Sequence, residues 1–215
     1  SGIATKYLSK QNSTNLSIIG TGYQAKTQAQ AIAAIRPITL IKVYSRSLDN
    51  RNRFAKWLEQ NLNIECIPVT SPEDCIEKSD IITTITTSKT PVFRGSQITP
   101  GTHINAAGGN HYMRRELDDD TILNSNLITT DDISQARVEC GDLINPIDRG
   151  LLRWHHIHQL SEIVSGSKIG RRNNNQITLY ESQGLAIQDL TAAAHIYSKA
   201  IQSKIGTNVD IETYN

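Results

Sequence analysis

The sequence is short of cysteine, of net charge and of long apolar runs, and each shortage closes off a class of protein. Three cysteines stand among 215 residues, Cys66, Cys75 and Cys140, an odd number without metal-type spacing. They read as reduced thiols, which argues against a disulfide-stapled secreted scaffold and for a cytoplasmic protein. Lys and Arg total 22 against 21 Asp and Glu, for a net charge of +1, with no long block of one sign. The electrostatic footprint of a nucleic-acid binder is therefore missing, and Arg171-Arg172, the densest basic spot, reads as a solvated loop. No apolar run approaches the length that spans a membrane, and the start carries no signal-peptide pattern. There is no internal repeat and no low-complexity segment. An initiator Met is also lacking, and the pattern of Ser1 to Leu8 already looks like the middle of a helix.

What is present is a regular alternation. With 38% hydrophobic and 20% charged residues, the chain has the composition of one or two globular domains. Leu16–Ile19 reads as a short buried strand, and a helix from about Tyr23 to Arg36 follows, stopped by Pro37. Ile38–Tyr44 is a second strand, Asn50–Leu62 a helix, and Ile64–Val69 a third strand. Ser71, with Glu73 and Asp74 behind it, caps a short helix through Cys75 and Ile76. Asp80–Ile85, His103–Ala107 and Leu127–Thr130 are further strands. From Asp142 to Asn175 the regularity weakens, Ile177–Tyr180 returns as a strand, and a long helix runs from about Leu185 to Lys204, ended by Gly206. The last nine residues read as a frayed tail. Strands separated by helices imply βαβ units. The expected fold is α/β, a Rossmann-type doubly wound and mainly parallel sheet with helices on both faces, plus a C-terminal helix.

Gly20-x-Gly22-x-x-Ala25 fits the dinucleotide fingerprint, and it lies after a strand and before a helix. The first glycine permits the tight turn and the second lets backbone approach a pyrophosphate. The third position needs a small residue for helix–strand contact. The helix starting near Tyr23 aims free N–H groups and its positive end at the phosphates. At the end of the second strand, where an NAD site usually places an acid, stand Ser45, Arg46 and Ser47, with no acid until Asp49. A guanidinium beside two hydroxyls suits a 2′-phosphate, so NADP(H) is favoured over NAD(H).

With the glycine loop in place, later motifs become recognisable together. They are Asp80-Ile81-Ile82-Thr83-Thr84-Ile85-Thr86 with Pro91-Val92, then the run from Pro100 to Gly108, then Arg115-Glu116-Leu117-Asp118, and last the run from Ile177 to Leu190. In this order the chain resembles the ornithine cyclodeaminase/mu-crystallin family up to its tail. The resemblance implies a Rossmann domain beside a substrate and dimerisation domain built mainly from the N-terminal part. It implies hydride exchange between a nicotinamide and the α-carbon of an amino or imino acid, in a family that includes cyclodeaminases, ketimine reductases, alanine-type dehydrogenases and binding proteins. Carried over, Gly20, Gly22, Gln24 and Ala25, with Tyr23 between them, would hold the pyrophosphate, and Ser45, Arg46 and Ser47 would meet the adenosine ribose. Thr84, Thr86 and Ser88 would line the cofactor groove, Ala107 and Gly108 would pass close to the nicotinamide, and Ser182 and Gly184 would approach it from the last strand.

Two departures shape the functional expectation. Members that deaminate or oxidise alanine carry an Asp after the glycine-rich turn, where this chain has Asn110. An amide cannot serve as a general base, so reduction of a ready-made imine gains weight over ornithine cyclodeamination; His111 next to it reads as a surface residue. The family's substrate-gripping lysine and arginine lie in its N-terminal half, and Ser1 corresponds to a point inside the helix that follows. Residues 1–11 are then expected to be a helix remnant of that half, 12–182 the Rossmann domain, and 183–215 a C-terminal helix that packs on the substrate domain. Such a chain alone is expected to bind dinucleotide without a complete active site, whereas the complete protein would take a small imino or amino acid and dimerise through the missing half. A non-catalytic, crystallin-like nucleotide or small-ligand binder is the alternative to an enzyme. The Trp154-His155-His156-Ile157-His158 run lacks a partnering acid or thiol cluster, so no metal is expected. Asp118-Asp119-Asp120 reads as a helix start, and Glu139, Gly141 and Asp142 match a family stretch without an evident role.

Overall fold

A computed structural model describes residues 1–207 and 209. The chain divides into two units, Ser1–Gln183 and Gly184–Asn215.

The first unit alternates strand and helix through most of its length. A short helix α1 (Gly2–Leu8) precedes β1 (Asn15–Ile19), α2 (Tyr23–Ala33), β2 (Leu40–Tyr44), α3 (Leu48–Leu62) and β3 (Glu65–Pro68). Then come α4 (Pro72–Ile76), β4 (Ile81–Thr84), β5 (His103–Ala106), α5 (Asp119–Asn124), β6 (Leu127–Thr130), α6 (Ile133–Glu139) and α7 (Gly141–Asp148). It closes with β7 (Ile157–Gln159), α8 (Leu160–Val164) and β8 (Thr178–Glu181). Side-chain acceptors fix several helix starts: Ser47 takes the Asn50 N–H, Ser71 that of Asp74, Asp118 that of Thr121 and Asp132 that of Gln135.

The eight strands pair in the order β3-β2-β1-β4-β5-β8-β6-β7, and every pairing is parallel. This is the expected Rossmann-type doubly wound sheet. Burial on both faces makes the central strands near-continuous apolar runs; Leu16, Ser17, Ile18 and Ile19 of β1 are all buried. One core cluster gathers Ala25, Ala29 and Ile32 of α2 and Phe54, Ala55 and Leu58 of α3 over β1 and β2. A second joins Ile104, Leu117, Ile122, Leu143 and Leu179 around the other half of the sheet.

Three features depart from the expectation, which left the strand order open. Residues 142–175, read as irregular, hold α7, β7 and α8, and α6 also lies outside the expected elements. Pro146 inside α7 and elements of 3 to 8 residues leave too little periodicity to read. The helix after β1 ends at Ala33, before Pro37, and Arg36 turns inward. Strand β8 inserts between β5 and β6, an order set by tertiary pairing and invisible in local pattern.

Arg36 explains how α1 is held. Its Nε donates to Ser9 Oγ and Lys10 O, both at 2.8 Å, and one terminal nitrogen to Thr5 O at 3.0 Å and Lys6 O at 2.7 Å. Arg171 adds a bond from Nε to Leu8 O at 2.6 Å. Two guanidinium groups thus satisfy the carbonyls at the C-terminal end of α1, where a cation is also favoured by the helix dipole.

In the second unit, α9 (Ala186–Ser203) closes at Lys204, whose φ of 54° is left-handed, two residues before the expected stop at Gly206. The tail expected from residue 207 onward lies, apart from residues 207 and 209, outside the described residues.

Replacing Arg36 with Met should lower stability by about 2–4 kcal/mol, because several buried carbonyls and the Ser9 hydroxyl lose their donor at once. Urea unfolding checks this, and an unchanged midpoint would show that the Arg36 bonds add nothing to the hold that Arg171 and the apolar contacts already give α1.

Candidate functional site

The strand order reverses between β1 and β4, so the loops leaving these two strands diverge and open a crevice at their C-terminal ends. Gly20 makes the first loop possible. Its φ is +114°, and a Cβ there would lie 2.3 Å from Ile85 O, so only glycine lets β1 turn against the end of β4. Gly22 follows with open space around it and serves as the N-cap of α2. Among the described residues no side chain caps α2, in contrast to α3–α6, and its first turn carries no acid, in contrast to α3–α5. The N–H groups at its start are left for an external acceptor. Tyr23 and Gln24 are exposed beside them, whereas Ala25 is fully buried against the sheet.

At the end of β2, Arg46 is exposed, while the two neighbouring hydroxyls are already engaged. Ser45 Oγ donates to Ser47 O at 3.0 Å, and Ser47 Oγ caps α3. Arg51, which the sequence reading did not single out, donates to Ser45 O at 3.1 Å and lies 5.9 Å from the Tyr44 ring, shaping the same turn.

Across the crevice, a cleft of about 240 Å³ is lined by Gly22, Tyr23, Gln24, Ile85, Thr86, Thr87, Ala107, Gly108, Asn110 and Arg114. Larger hollows occur elsewhere: one beside His155, His156 and His158 involves none of the strand ends that define the crevice, and one of about 350 Å³, lined by Thr21, Lys26, Asn50, Arg53, Phe54 and Trp57, adjoins the other side of the glycine loop. Among the described residues, no group of three or more His, Cys, Asp or Glu side chains is placed to hold a metal ion. The expected groove residues are thus partly brought together. Thr86, Ala107 and Gly108 line the cleft. Thr84 is fully buried with its hydroxyl turned inward, and the Ser88 hydroxyl is tied to Thr90 O at 2.6 Å. Ser182 N bonds Ala106 O at 2.9 Å at the end of β8, and Gly184, with φ +86°, begins the second unit. Asn110 is exposed and accepts from Arg114 at 2.8 Å.

Beneath this cleft lie acidic side chains that the sequence reading did not assign. Glu116, Asp142 and Glu181 are fully buried. Asp142 Oδ1 accepts from the N–H groups of Glu116 and Leu117 at 2.9 and 2.8 Å, while Asp142 Oδ2 and Glu181 Oε1 are buried without a hydrogen-bond partner among the described residues. Burial pushes the Asp142 carboxyl up to about 7; the Glu116 charge adds to the rise, while the Leu117 and Glu116 N–H groups and Arg115 oppose it. Glu181 is also raised, by burial first and then by Asp142 and Glu116. The motif residues were visible, but an acid in a loop next to Arg115 gives no local signal that it points inward.

A parallel, doubly wound sheet with an uncapped helix start and an open glycine at the reversal of strand order defines a dinucleotide-fold domain. The model of the ornithine cyclodeaminase/mu-crystallin family matches residues 1–204, and the chain belongs to that family. A Δ1-pyrroline-2-carboxylate reductase of Bacillus thuringiensis subsp. konkukian (strain 97-27) is 36% identical over 98% of this chain and 65% of its own length. The solved structure of Thermococcus litoralis Δ1-pyrroline-2-carboxylate reductase in complex with NADH and L-proline is 42% identical, with a TM-score of 0.94 over 97% of this chain and 64% of that one. An archaeal alanine dehydrogenase dimer with bound NAD is 31% identical, with a TM-score of 0.91 over 98% of this chain and 64% of that one. The chain thus spans a little under two thirds of these relatives. No helix among the described residues is long and apolar enough to cross a membrane.

The buried acids give a pH signature. The folded state keeps a proton on Asp142 that the unfolded chain releases near pH 4, so this group withdraws stability as the pH rises from there to about 7. Neutral His103, pushed down to about 3 by burial, acts in the opposite direction between about pH 3 and 6.5. The comparison of wild type with Asp142→Asn isolates the acid: the variant should gain on wild type steadily from pH 4.5 to 7 and hold a constant lead above. Parallel urea midpoints across that range would show that Asp142 is ionised throughout.

Proposed function

We propose that this chain is the nucleotide-binding part of an NADP(H)-preferring oxidoreductase that reduces a cyclic imino acid, or oxidises the corresponding amino acid in reverse. The observation that carries the reading is the uncapped start of α2 at Gly22, facing a cleft walled by Thr86, Ala107 and Gly108. The N–H groups there suit a pyrophosphate, and Gly22 leaves room for it to approach. Bound at this site, a nicotinamide dinucleotide supplies or accepts the hydride.

The chain's own residues divide the remaining work. Gly20 sets the turn, Gly22 to Gln24 offer backbone donors and Ala25 packs the helix onto the sheet. Arg46 is the charge available to a ribose 2′-phosphate, since the first acid after β2 is Asp49, already inside α3. Thr86, Ala107 and Gly108 form the wall toward the nicotinamide, with Ser88 and Thr84 shaping it from behind and Ser182 at the end of β8. Asn110 supports imine reduction over cyclodeamination, because its amide neither takes nor gives a proton in the working pH range. With Arg114 on its oxygen, it is placed to orient rather than to ionise a bound group. Reducing the C=N bond of Δ1-pyrroline-2-carboxylate yields proline, so the small substrate is proposed to be a five- or six-membered cyclic imine bearing a carboxylate. A homodimer in the cytoplasm, formed outside the nucleotide domain, completes the proposal.

The complete protein, given Δ1-pyrroline-2-carboxylate and its six-membered analogue with NADPH, should oxidise the nicotinamide, followed at 340 nm. Ammonia release from ornithine without imine reduction would place it among the cyclodeaminases instead, and binding without either reaction would favour the non-catalytic reading. For the cofactor, titration of the chain should give tighter binding of NADPH than of NADH, and Arg46→Ala should remove most of the difference. A charge-assisted contact of about 1.5–3 kcal/mol corresponds to roughly tenfold or more in affinity. Equal affinities in the wild type would refute the NADP(H) preference.

A further inference from the structure

Glu116 is an acid that none of the roles above uses, yet its carboxylate is one of the most heavily bonded groups near the cleft. Oε1 accepts the Thr86 N–H at 2.6 Å, and Oε2 accepts the Gly108 N–H at 2.8 Å and the Thr84 hydroxyl at 2.9 Å. One side chain therefore ties the loop after β4 to the loop after β5, the two backbone segments that wall the cleft. The fit is tight: a Cβ on Gly108 would lie 2.2 Å from Thr86 O and 2.8 Å from Glu116 Cδ.

The segment that carries Glu116 is itself fixed from below by the start of α7. Asp142 Oδ1 takes the N–H groups of Glu116 and Leu117, Asn110 bridges to Cys140, and a Cβ on Gly141 would lie 2.0 Å from Arg114 O. The charged and titratable groups around the carboxylate are Asp142 and Glu181, with Cys140 against Glu181 at 3.6 Å and Arg115 next in the chain. Burial of a carboxylate is unfavourable unless its acceptors are filled, and here three donors fill them.

We propose that Glu116 is the positioning residue for the nicotinamide side of the cleft: by accepting from Thr86 and Gly108 with different oxygens, it holds the two loop backbones at the spacing the ring requires. This rests on the dinucleotide reading above and deepens it. The chemistry makes Glu116 and Asp142 unequal. Both Glu116 oxygens face a backbone N–H, so an amide must set a donor against a donor. Asp142 receives both of its N–H bonds on one oxygen, so an amide can take its place.

The test combines amide hydrogen exchange with ligand titration on the full chain. Glu116→Gln should speed exchange at Gly108 and Thr86 by tenfold or more while β1 and β2 amides keep their protection; Asp142→Asn should leave Gly108 and Thr86 protected. Glu116→Gln should also weaken NADH binding about tenfold or more and leave ADP-ribose, which lacks the nicotinamide, within about twofold. Should Glu116→Gln fail to fold, Thr84→Val removes one donor and should accelerate exchange at Gly108 in the same direction to a smaller degree. Unchanged exchange at both amides, or equal loss of NADH and ADP-ribose, overturns the positioning role. A wild-type chain that binds neither ligand overturns the dinucleotide reading instead, and the exchange data then decide the clamp alone.

Discussion

The pairing of β1 with β4 is the contact on which the other features rest. These strands are neighbours in space while β2 and β3 lie to one side and β5, β8, β6 and β7 to the other. The loops leaving their C-terminal ends must then part, and the gap between them is a consequence of topology rather than of any one side chain. Gly20 is where this constraint reaches a single residue. A Cβ at that position would collide with the Ile85 carbonyl, so the turn, the direction of α2 and the exposure of its first N–H groups all follow from a missing methyl group.

The two walls of the crevice are built by different physics. On the glycine-loop side the work is done by backbone: an uncapped helix start and an open Gly22 present donors at no side-chain entropy cost. On the other side, buried carboxyl groups hold the loops after β4 and β5 in place, through Glu116 above and Asp142 at the start of α7 below. Buried carboxylates are unfavourable in an apolar core, and partner groups must offset them. Glu116 has its partners, whereas one oxygen of Asp142 has none among the described residues; burial raises both carboxyls, that of Asp142 to about 7.

The parts of this arrangement legible in the sequence are those governed by local rules. The glycine fingerprint, the small residue at Ala25, the cap at Ser71 and the apolar runs of β1, β4 and β5 each follow from backbone conformation or burial over a few residues. Three kinds of information were not local. The place of β8 between β5 and β6 depends on pairing across 75 residues to the one and 51 to the other, the short elements after Cys140 carry too few turns for a period, and the inward course of Glu116 and Asp142 appears only once α7 meets the loop before α5. Ser47 shows the opposite difficulty. Its hydroxyl suits a ribose by type, but the fold engages it as the cap of α3.

The claim that joins these strands of argument is that one dinucleotide lies across the β1–β4 divide, touching both walls. Mapping amide chemical shifts of the labelled chain on addition of NADH tests it most directly. The account predicts changes concentrated at Thr21 to Gln24 and at Gly108 to Asn110, with little effect along β3 and β7. Shifts confined to one wall, or centred on the hollow beside His155 and His156, would contradict it.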